Sequence, residues 1–445
     1  MIERWTAADR SLRIFACAFL VRLAINLLFI QSFIADSDAY RRLAKAWANT
    51  GTYGLADLSG TPIATAYRPP LYPWLLSWFQ LSWLQIGNSD QLAIATLHAL
   101  LGALTVWLTV DLGKRLGLSL TWSILAGILV LFDPILIRQS TLVMTETLAT
   151  FLGLSVWWLA VVVRTRATQA RANDASNTLV ELARGSIVGA TLGIACLCRP
   201  TCLLWAVLWG LSESIRNPRF GASMLLICGT VLTPWWVRNL RELGQGVWMT
   251  THGGYTLLLA NNPILYEHWE GSWSREWNED NFHAWWQSEQ RARLESTPQG
   301  GAGELAYDRL ASDLGWSTIR EHPMQFLKGC FIRECWLWAW WPSQRQASFP
   351  VRFGIGLWYA GIAVLALLGF LCNLLQRGPL RLGSEWIPAW CLLASLCLVH
   401  AVYWSNMRMR APLVPMISLL AVCGIYWVLA RSSRLGDRRL PRIGD

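Results

Sequence analysis

The chain has 445 residues, of which 54% are hydrophobic and only 15% are charged, and its mean hydropathy is +0.33. Soluble domains carry about 25% charged residues, so this composition excludes a soluble globular protein and indicates a polytopic membrane protein. The net charge of +10 is better explained by basic loops that orient membrane helices than by nucleic-acid binding, because no nucleic-acid motif is present.

The N-terminus leads into the first of a series of apolar runs. It continues into about 22 apolar residues without a small-residue cleavage site, which predicts a retained membrane helix rather than a signal peptide. Runs near 20 residues are long enough to cross about 30 Å of hydrocarbon. The sequence predicts about ten spans, at 12–34, 91–112, 121–138, 144–163, 184–198, 200–213, 221–237, 353–374, 386–404 and 409–430.

The fifth and sixth runs are short and are separated only by "CRP". They are either two short spans or one long helix broken at Pro200. Arg and Lys favour two spans, because ten spans place the basic segments around Lys114, Arg164, Arg216 and Arg377 on the same side as the basic tail. The predicted topology therefore has both termini in the cytoplasm.

This topology divides the chain into four parts. Residues 1–237 form a transmembrane catalytic core with a first outer loop at 35–90, and 238–352 form a large outer region. Residues 353–430 form the C-terminal membrane helices, and 431–445 form a cytoplasmic tail. Two amphipathic runs in the first loop, "DAYRRLAKAWANTG" and "LYPWLLSWFQLSWLQ", predict interfacial helices, with Trp74, Trp78 and Trp83 at the depth of the headgroups.

Acids and arginines from distant parts of the chain fall on the outer face. Asp36 and Asp38 follow the first span, and Glu146 begins the fourth. Three arginines share this side: Arg68, Arg408 and Arg410. Arg binds phosphate through its charge and forked hydrogen bonds, and a carboxylate beside it can take a proton from an attacking hydroxyl. The pattern predicts sugar transfer from a polyprenyl phosphate to an acceptor hydroxyl.

Six segments taken in order carry a family resemblance: "DSDAYRRLAKAWANTGTYG", "YRPPLYPWLLSW", "LVMTETLAT", "TPWWVRNLRELG", "THGGYTLLLANNP" and "RMRAPLVP". Over about residues 10–430, the chain resembles GT-C glycosyltransferases of the family-39 type. This group includes bacterial relatives of the protein O-mannosyltransferases and the lipid A aminoarabinose transferase. The resemblance implies an all-α membrane protein of GT-C fold, with interfacial helices in the first outer loop and a large outer loop before the last three helices.

The resemblance also implies roles for individual residues. Asp36 stands four residues before Tyr40 and matches the catalytic base, with Asp38 as second candidate. Glu146 matches a second family acid, and Arg68 matches a basic residue at the lipid phosphate. Arg408 and Arg410 match a basic pair before the last helix, and Tyr40, Tyr67, Asn261 and Asn262 are candidate substrate contacts.

Each candidate has a plainer structural alternative. Asp36 is also placed to cap an interface helix at 39–49, and Asp38 to interact with its dipole. Glu146 has Arg138 as a possible ion-pair partner.

The arginines and turn residues have such alternatives too. Arg68, Arg408 and Arg410 are alternatively interfacial anchors. Asn261 and Asn262 are alternatively turn scaffold. Arg22 and His98 lie inside spans and are expected to be paired buried groups rather than catalysts.

Tryptophans in the outer region offer stacking surfaces for sugars or anchors at the membrane interface: Trp269, Trp273, Trp277, Trp285, Trp286, Trp336, Trp338, Trp340 and Trp341. For the second cluster, 336–341, we expect interface anchoring because it adjoins the eighth span.

The sequence thus predicts an inverting glycosyltransferase whose active site faces the outer side of the membrane. Its expected partners are the bilayer, a polyprenyl-phosphate-linked sugar and a lipid, glycan or protein acceptor, without nucleic acid. No cofactor is certain, and a divalent metal stays open because no full ligand set can be mapped. Two rival hypotheses are a transporter or flippase, which would carry charges at mid-membrane on broken helices, and a non-catalytic sugar-binding relative.

Overall fold

A computed structural model describes residues 7–57, 59–79, 89–171, 178–271, 279–294, 300–343, 347–376, 378–380 and 382–434. The first half of this chain contains nine helices and a short hairpin: α1 (Ala7–Leu28), α2 (Tyr40–Thr50), β1 (Gly54–Ala56), β2 (Pro62–Ala64), α3 (Leu71–Ser77), α4 (Ser89–Arg115), α5 (Leu120–Leu131), α6 (Pro134–Ser140), α7 (Glu146–Arg171), α8 (Thr178–Cys198) and α9 (Thr201–Arg216). The second half contains α10 (Pro218–Leu243), α11 (Gly253–Ala260), α12 (Pro263–Gly271), α13 (Glu279–Leu294), α14 (Gly301–Glu321), α15 (Pro323–Leu337), α16 (Phe349–Leu374), α17 (Ile387–Val402) and α18 (Val414–Arg434).

Eight helical segments of the described chain are long and apolar enough to cross a membrane, or nine if α5 and α6 form one bent span. The two helices meet at an angle of 53°, where Asp133 accepts a hydrogen bond from the backbone of Leu136 and Pro134 begins α6. The remaining predicted span, 200–213, corresponds to α9. Its 16 residues extend about 24 Å, which is shorter than a typical spanning helix.

The direction of α9 follows from how α8 packs against α10. A Cβ added at Gly185 would lie 2.3 Å from the carbonyl oxygen of Phe220, and one added at Gly193 would lie 2.7 Å from Cβ of Val231. Residue numbers thus rise together along the two helices, so α8 and α10 are parallel. Because α9 joins the end of α8 to the start of α10, it must run antiparallel to both. Residues 184–213 therefore form two helices that run in opposite directions rather than one long helix, as the basic loops favour.

The close approach of these helices gives a stability prediction. A Cβ at Gly189 would lie 2.3 Å from the carbonyl oxygen of Met224, whereas one at Gly229 would meet nothing within 4 Å. We expect Gly189→Ala to lower the free energy of unfolding by about 1–3 kcal/mol, the usual cost of overpacking. Gly229→Ala is the matched control and should leave the melting temperature of the purified protein unchanged or raise it. Equal melting temperatures for the two variants would contradict the packing described here.

The segments that the sequence predicts on opposite sides of the membrane lie at opposite ends of the helix bundle. Arg164, about two turns before the end of α7, donates to Glu213 on α9 and to the carbonyl of Ser384, 2.6 Å away. These three segments are all predicted to be cytoplasmic, and their end is called the inner end below. The opposite, outer end carries the first outer loop and the outer region. Arg377 and the tail beyond 434 lie outside the described residues.

Arg22 and His98, which the sequence predicts to be paired buried groups, each have a hydrogen-bond partner, although Arg22 Nε and Nη1 have none among the described residues. Arg22 donates to the carbonyl of Val130 at 2.9 Å. The ring of His98 contacts the Tyr72 hydroxyl at 2.8 Å and the Ser140 carbonyl at 2.9 Å. These contacts link α1, α3, α4, α5 and α6 near the outer end.

The outer region consists of α11–α15 packed around a cluster of aromatic and aliphatic side chains. Arg333 on α15 is buried and donates to the carbonyls of Ala260 and Ala401, both at 2.7 Å, so it joins this region to the end of α17. Trp336 was expected at the membrane interface, but it is buried in this core against Trp404.

Other interface tryptophans are exposed, in agreement with the sequence prediction: Trp74, Trp78, Trp340 and Trp341. Trp83, Trp273 and Trp277 lie outside the described residues.

Candidate active site

A cavity of about 550 Å³ lies at the outer end of the bundle. Its lining comes from five separate segments: the first outer loop, the start of α7, the turn between α8 and α9, residues 250–259, and residues 399–409. Three arginines and two carboxylates line it among the described residues: Arg68, Arg199, Arg408, Asp38 and Glu146. Of the six outer acids and arginines predicted to converge, four line the cavity: Asp38, Arg68, Glu146 and Arg408.

Asp38 and Arg68 form the first charged pair of the cavity. Arg68 Nη2 lies 2.7 Å from Asp38 Oδ1, and its guanidinium stands 4.5 Å above the ring of Tyr67 and 5.7 Å from that of Tyr40. Burial raises the pKa of Tyr40 to about 12, so its hydroxyl remains protonated at neutral pH. Two prolines follow Arg68 and restrict the backbone there, which fixes the direction of the arginine.

Glu146 is the centre of the second charged group. It begins α7, is 1% exposed, and its Oε1 lies 3.7 Å from Arg199 Nη2 and 3.6 Å from Arg408 Nε. Its other oxygen, Oε2, is buried and has no hydrogen-bond partner in the described part of the chain. The alternative pair with Arg138 does not form, since Arg138 contacts Thr141 instead.

Arg199 was not among the residues predicted for the site. It occupies the "CRP" turn between α8 and α9, where the sequence showed only an outer arginine that departs from the positive-inside pattern. Its Nη1 is buried without a partner among the described residues. The signal available in the sequence was an arginine at the outer end of two short spans. We interpreted it only as evidence about topology.

The cavity lining carries one net positive charge, since three guanidinium groups face two carboxylates. Two histidines also line it. Burial and the nearby Arg68 lower the pKa of His252 to about 3, so that ring is neutral at physiological pH. An anion that enters this space gains hydrogen bonds from arginine N–H groups that lack partners in the described structure. The arrangement suits a phosphate beside a carboxylate.

Asp36 does not line the cavity. Its two carboxylate oxygens accept hydrogen bonds, each 3.0 Å long, from the backbone N–H groups of Arg41 and Arg42 in the first turn of α2. Ala39, directly before this helix, has a positive φ of 64°, so the chain turns sharply between Asp36 and Tyr40. The structure thus shows the capping arrangement at Asp36 and brings Asp38 to the cavity.

Three further candidates also lie away from the cavity lining. Arg410 is 3% exposed and donates to the carbonyls of Leu337 and Ala339, at 2.8 and 2.7 Å. Asn261 and Asn262 are fully buried and bond to the backbone around α11, and Asn262 accepts from the first turn of α12. The structure separates these side chains from Arg408 and Glu146.

A carboxylate on α14 holds the two outer walls of the site together. Glu304 accepts hydrogen bonds from the hydroxyls of Thr65 and Thr251 and from the backbone N–H of Ala66 at 3.0 Å. The segment it fixes leads directly into Tyr67 and Arg68. Through Glu304, the segments around Thr65 and Thr251, which are more than 180 positions apart, come together. No sequence pattern predicted this contact.

This contact gives a prediction for local order. We expect Glu304→Gln to loosen residues 62–70 and 249–254, because hydrogen bonds to a charged group contribute about 1.5–3 kcal/mol each. Hydrogen–deuterium exchange should show faster exchange in both segments. Glu321→Gln, at the exposed end of the same helix, is the control. Unchanged exchange in Glu304→Gln would contradict the assignment of Glu304 as the joining residue.

Within the described residues, no group of three or more His, Cys, Asp or Glu side chains is arranged to hold a metal ion. The carboxylates of the cavity are instead neutralised by arginine.

Comparison with known proteins agrees with this picture. Residues 71–217 match the family model described as dolichyl-phosphate-mannose-protein mannosyltransferase, and this third of the chain includes Glu146 and Arg199. The family resemblance stated from the sequence is confirmed over that segment. No curated protein sequence matches the chain significantly.

Among solved structures, the oligosaccharyltransferase of Archaeoglobus fulgidus in the apo form superposes with a TM-score of 0.54 at 12% identity, covering 99% of this chain and 54% of that one. The same archaeal enzyme, AglB, in complex with an inhibitory peptide and a dolichol-phosphate gives a TM-score of 0.51 at 12% identity, with 98% and 53% covered. ArnT from Cupriavidus metallidurans bound to undecaprenyl phosphate gives 0.39 at 14% identity, with 98% and 82% covered, and that likeness carries no argument.

The likeness to the archaeal enzyme shows the fold, which is the GT-C membrane fold predicted from the sequence, helical apart from the short β1–β2 hairpin. The chain spans about half the length of that enzyme.

Proposed function

We propose that the chain is a membrane glycosyltransferase that moves a monosaccharide from a polyprenyl-phosphate donor to an acceptor hydroxyl at the outer face. The observation that carries this proposal is the cavity in which Arg68, Arg199 and Arg408 surround Asp38 and Glu146. It lies at the end of a bundle of membrane-spanning helices, where the headgroup of a lipid donor resides.

The cationic half of the cavity fits the phosphate of such a donor. Guanidinium groups bind phosphate oxygens through charge-assisted and often paired hydrogen bonds. Arg199 Nη1 is buried without a hydrogen-bond partner among the described residues, and Arg408 Nε faces Glu146 at 3.6 Å without a hydrogen bond. We assign the two to the donor phosphate together with Arg68.

The reaction needs one base and a stabilised leaving group. The acceptor oxygen forms a bond to the anomeric carbon while the bond from that carbon to the phosphate oxygen breaks, and its electron pair leaves with the polyprenyl phosphate. A carboxylate receives the proton of the acceptor hydroxyl. The arginines stabilise the charge that develops on the phosphate. A single displacement of this kind inverts the anomeric centre.

Three carboxylates are candidates for the base. The family resemblance assigns the role to Asp36, whereas the cavity presents Asp38 at its edge and Glu146 in its depth. We propose that Asp38 receives the proton, with Asp36 fixing the α2 turn that positions it, and that Glu146 orients Arg199 and Arg408.

The comparisons support the class of donor. The matching family model is named for dolichyl-phosphate-mannose, and the archaeal structure of the same fold contains a dolichol-phosphate. On this basis we propose that the donor used by this chain is also a polyprenyl-phosphate-linked sugar. The acceptor is a lipid, a glycan or a protein hydroxyl. We also propose a bacterial inner membrane as the location, with both ends cytoplasmic and the cavity on the periplasmic side, which the positive-inside pattern of the loops supports.

Transfer of radiolabelled sugar from a panel of polyprenyl-phosphate sugars in membranes tests the function. We expect wild type to transfer and Asp38→Asn to lose at least ~100-fold, the lower range for a general base. Asp36→Asn retains size and one capping oxygen, and it should lose far less.

The reverse order would assign the base to Asp36. Absence of transfer by wild type from every donor would overturn the proposal and favour a transporter or a sugar-binding protein.

A further inference from the structure

A row of aromatic rings forms part of the cavity lining, and Arg68 stands over the first of them, Tyr67. The rings of Tyr67 and His252 lie 4.8 Å apart, and those of His252 and Tyr255 lie 5.1 Å apart, so the three form a continuous row. Burial and neighbouring groups raise the pKa of Tyr255 to about 12, so its hydroxyl stays neutral. Such rings can pack against the apolar face of a sugar, and none of them is ionised.

A histidine at the end of α17 adds a single, directed polar atom. His400 Nδ1 lies 3.0 Å from the carbonyl of Trp404, an acceptor, so Nδ1 carries the proton and Nε2 carries the lone pair. His400 lines the cavity and is 4% exposed, and Nε2 has no hydrogen-bond partner in the described part of the chain. The ring therefore presents a buried acceptor that only a donor group on a ligand can satisfy.

Charge balance limits which sugar fits between these groups. The lining carries one net positive charge, and a sugar phosphodiester carries one negative charge. A donor with an uncharged sugar leaves the filled cavity neutral. An ammonium on the sugar would leave an excess positive charge beside three guanidinium groups. A carboxylate would leave an excess negative charge and would set an acceptor against the lone pair of His400.

We infer that the transferred sugar is uncharged and that one of its hydroxyl groups donates a hydrogen bond to Nε2 of His400. This inference rests on the proposed function, since it names the sugar held in the same cavity. The aromatic row packs against the ring of the sugar, and His400 accepts a hydrogen bond from a hydroxyl at the edge of that sugar ring. His400 acts as a specificity-determining residue.

Binding to the purified full-length protein tests the inference without turnover. The melting temperature is measured against polyprenyl phosphate alone and against polyprenyl phosphates that carry a neutral hexose, an amino sugar or a uronic acid. We expect polyprenyl phosphate to stabilise the protein, and the neutral donor to do so at a concentration at least ~10-fold below either charged donor.

His400→Asn supplies the matched variant, because the Asn amide retains a donor near the Nδ1 position and loses the acceptor at Nε2. We expect it to weaken binding of the neutral donor about 10-fold, the scale of one hydrogen bond. Binding of polyprenyl phosphate alone should not change. His283→Asn, exposed on α13, controls for loss of a histidine elsewhere.

The possible results separate the two proposals. If polyprenyl phosphate itself does not bind, the proposed function fails. If it binds, but an amino-sugar or uronic-acid donor binds as tightly as the neutral one, this inference is overturned. The same holds if His400→Asn binds the neutral donor like wild type. Should His400→Asn not fold, the order of the three donors on wild type decides alone.

Discussion

Glu146→Gln is expected to abolish sugar transfer while binding of the lipid phosphate is kept or strengthened. Glu146 is the carboxylate that Arg199 and Arg408 both face, at 3.7 and 3.6 Å. The substitution raises the net charge of the cavity lining from one positive to two, which favours an anion. The two arginines then lose the group that orients them, so we expect transfer to fall at least ~100-fold.

Two measurements check this result on the same preparation. Transfer of radiolabel reports the rate, and the shift in melting temperature with polyprenyl phosphate reports binding. Glu334→Gln, on α15 and outside the cavity lining, serves as the control for loss of a partly buried carboxylate. A Glu146→Gln variant that transfers sugar at the wild-type rate would refute the role given to this residue. Weaker binding of the phosphate would refute the charge argument.

Arg408→Gln and Arg410→Gln are expected to fail in opposite ways, although the two arginines are only two positions apart. Arg408 lines the cavity beside Glu146, so its loss should weaken polyprenyl-phosphate binding about 10-fold or more and leave the melting temperature near that of wild type. Arg410 bonds to the carbonyls of Leu337 and Ala339. Its loss leaves buried acceptors unpaired and should lower the free energy of unfolding by about 2–4 kcal/mol.

Comparison of the two variants gives its own control, since both remove one guanidinium from the same short segment. Binding and thermal unfolding are measured for each. If Arg410→Gln binds the lipid phosphate poorly while it unfolds like wild type, the sequence-based pairing of the two arginines would be correct. The structural separation described here would then be wrong.

Sequence patterns predicted the membrane helices well because hydrophobic length and basic loops are direct consequences of the bilayer. They also predicted that Asp38, Arg68, Glu146 and Arg408 share one face, since topology alone brings them there. They did not predict which atoms meet. Arg408 and Arg410 look alike in the sequence, and only the position of the α15 carbonyls separates them.

Asp36 and Arg199 are two further residues whose side-chain position the sequence did not predict. The spacing of Asp36 from Tyr40 resembles a catalytic pattern, but the turn at Ala39 directs both carboxylate oxygens of Asp36 to the start of α2. Arg199 belongs to no motif, and it reaches Glu146 because α8 ends where the outer face begins. Side-chain direction after a sharp turn depends on tertiary packing, which periodicity does not encode.

The positions of the five lining segments in the sequence also determine when the cavity is completed during synthesis of the chain. The first of them lies before residue 70 and the last ends at Met409, with α18 still to follow. No fragment shorter than residues 38–409 contains the whole lining, and within it Arg408 must join Glu146 across more than 250 residues of sequence. A nascent chain in the membrane therefore has an incomplete cavity lining until residue 409 has been synthesised. Under the proposed function, the donor lipid finds a complete lining only after that point.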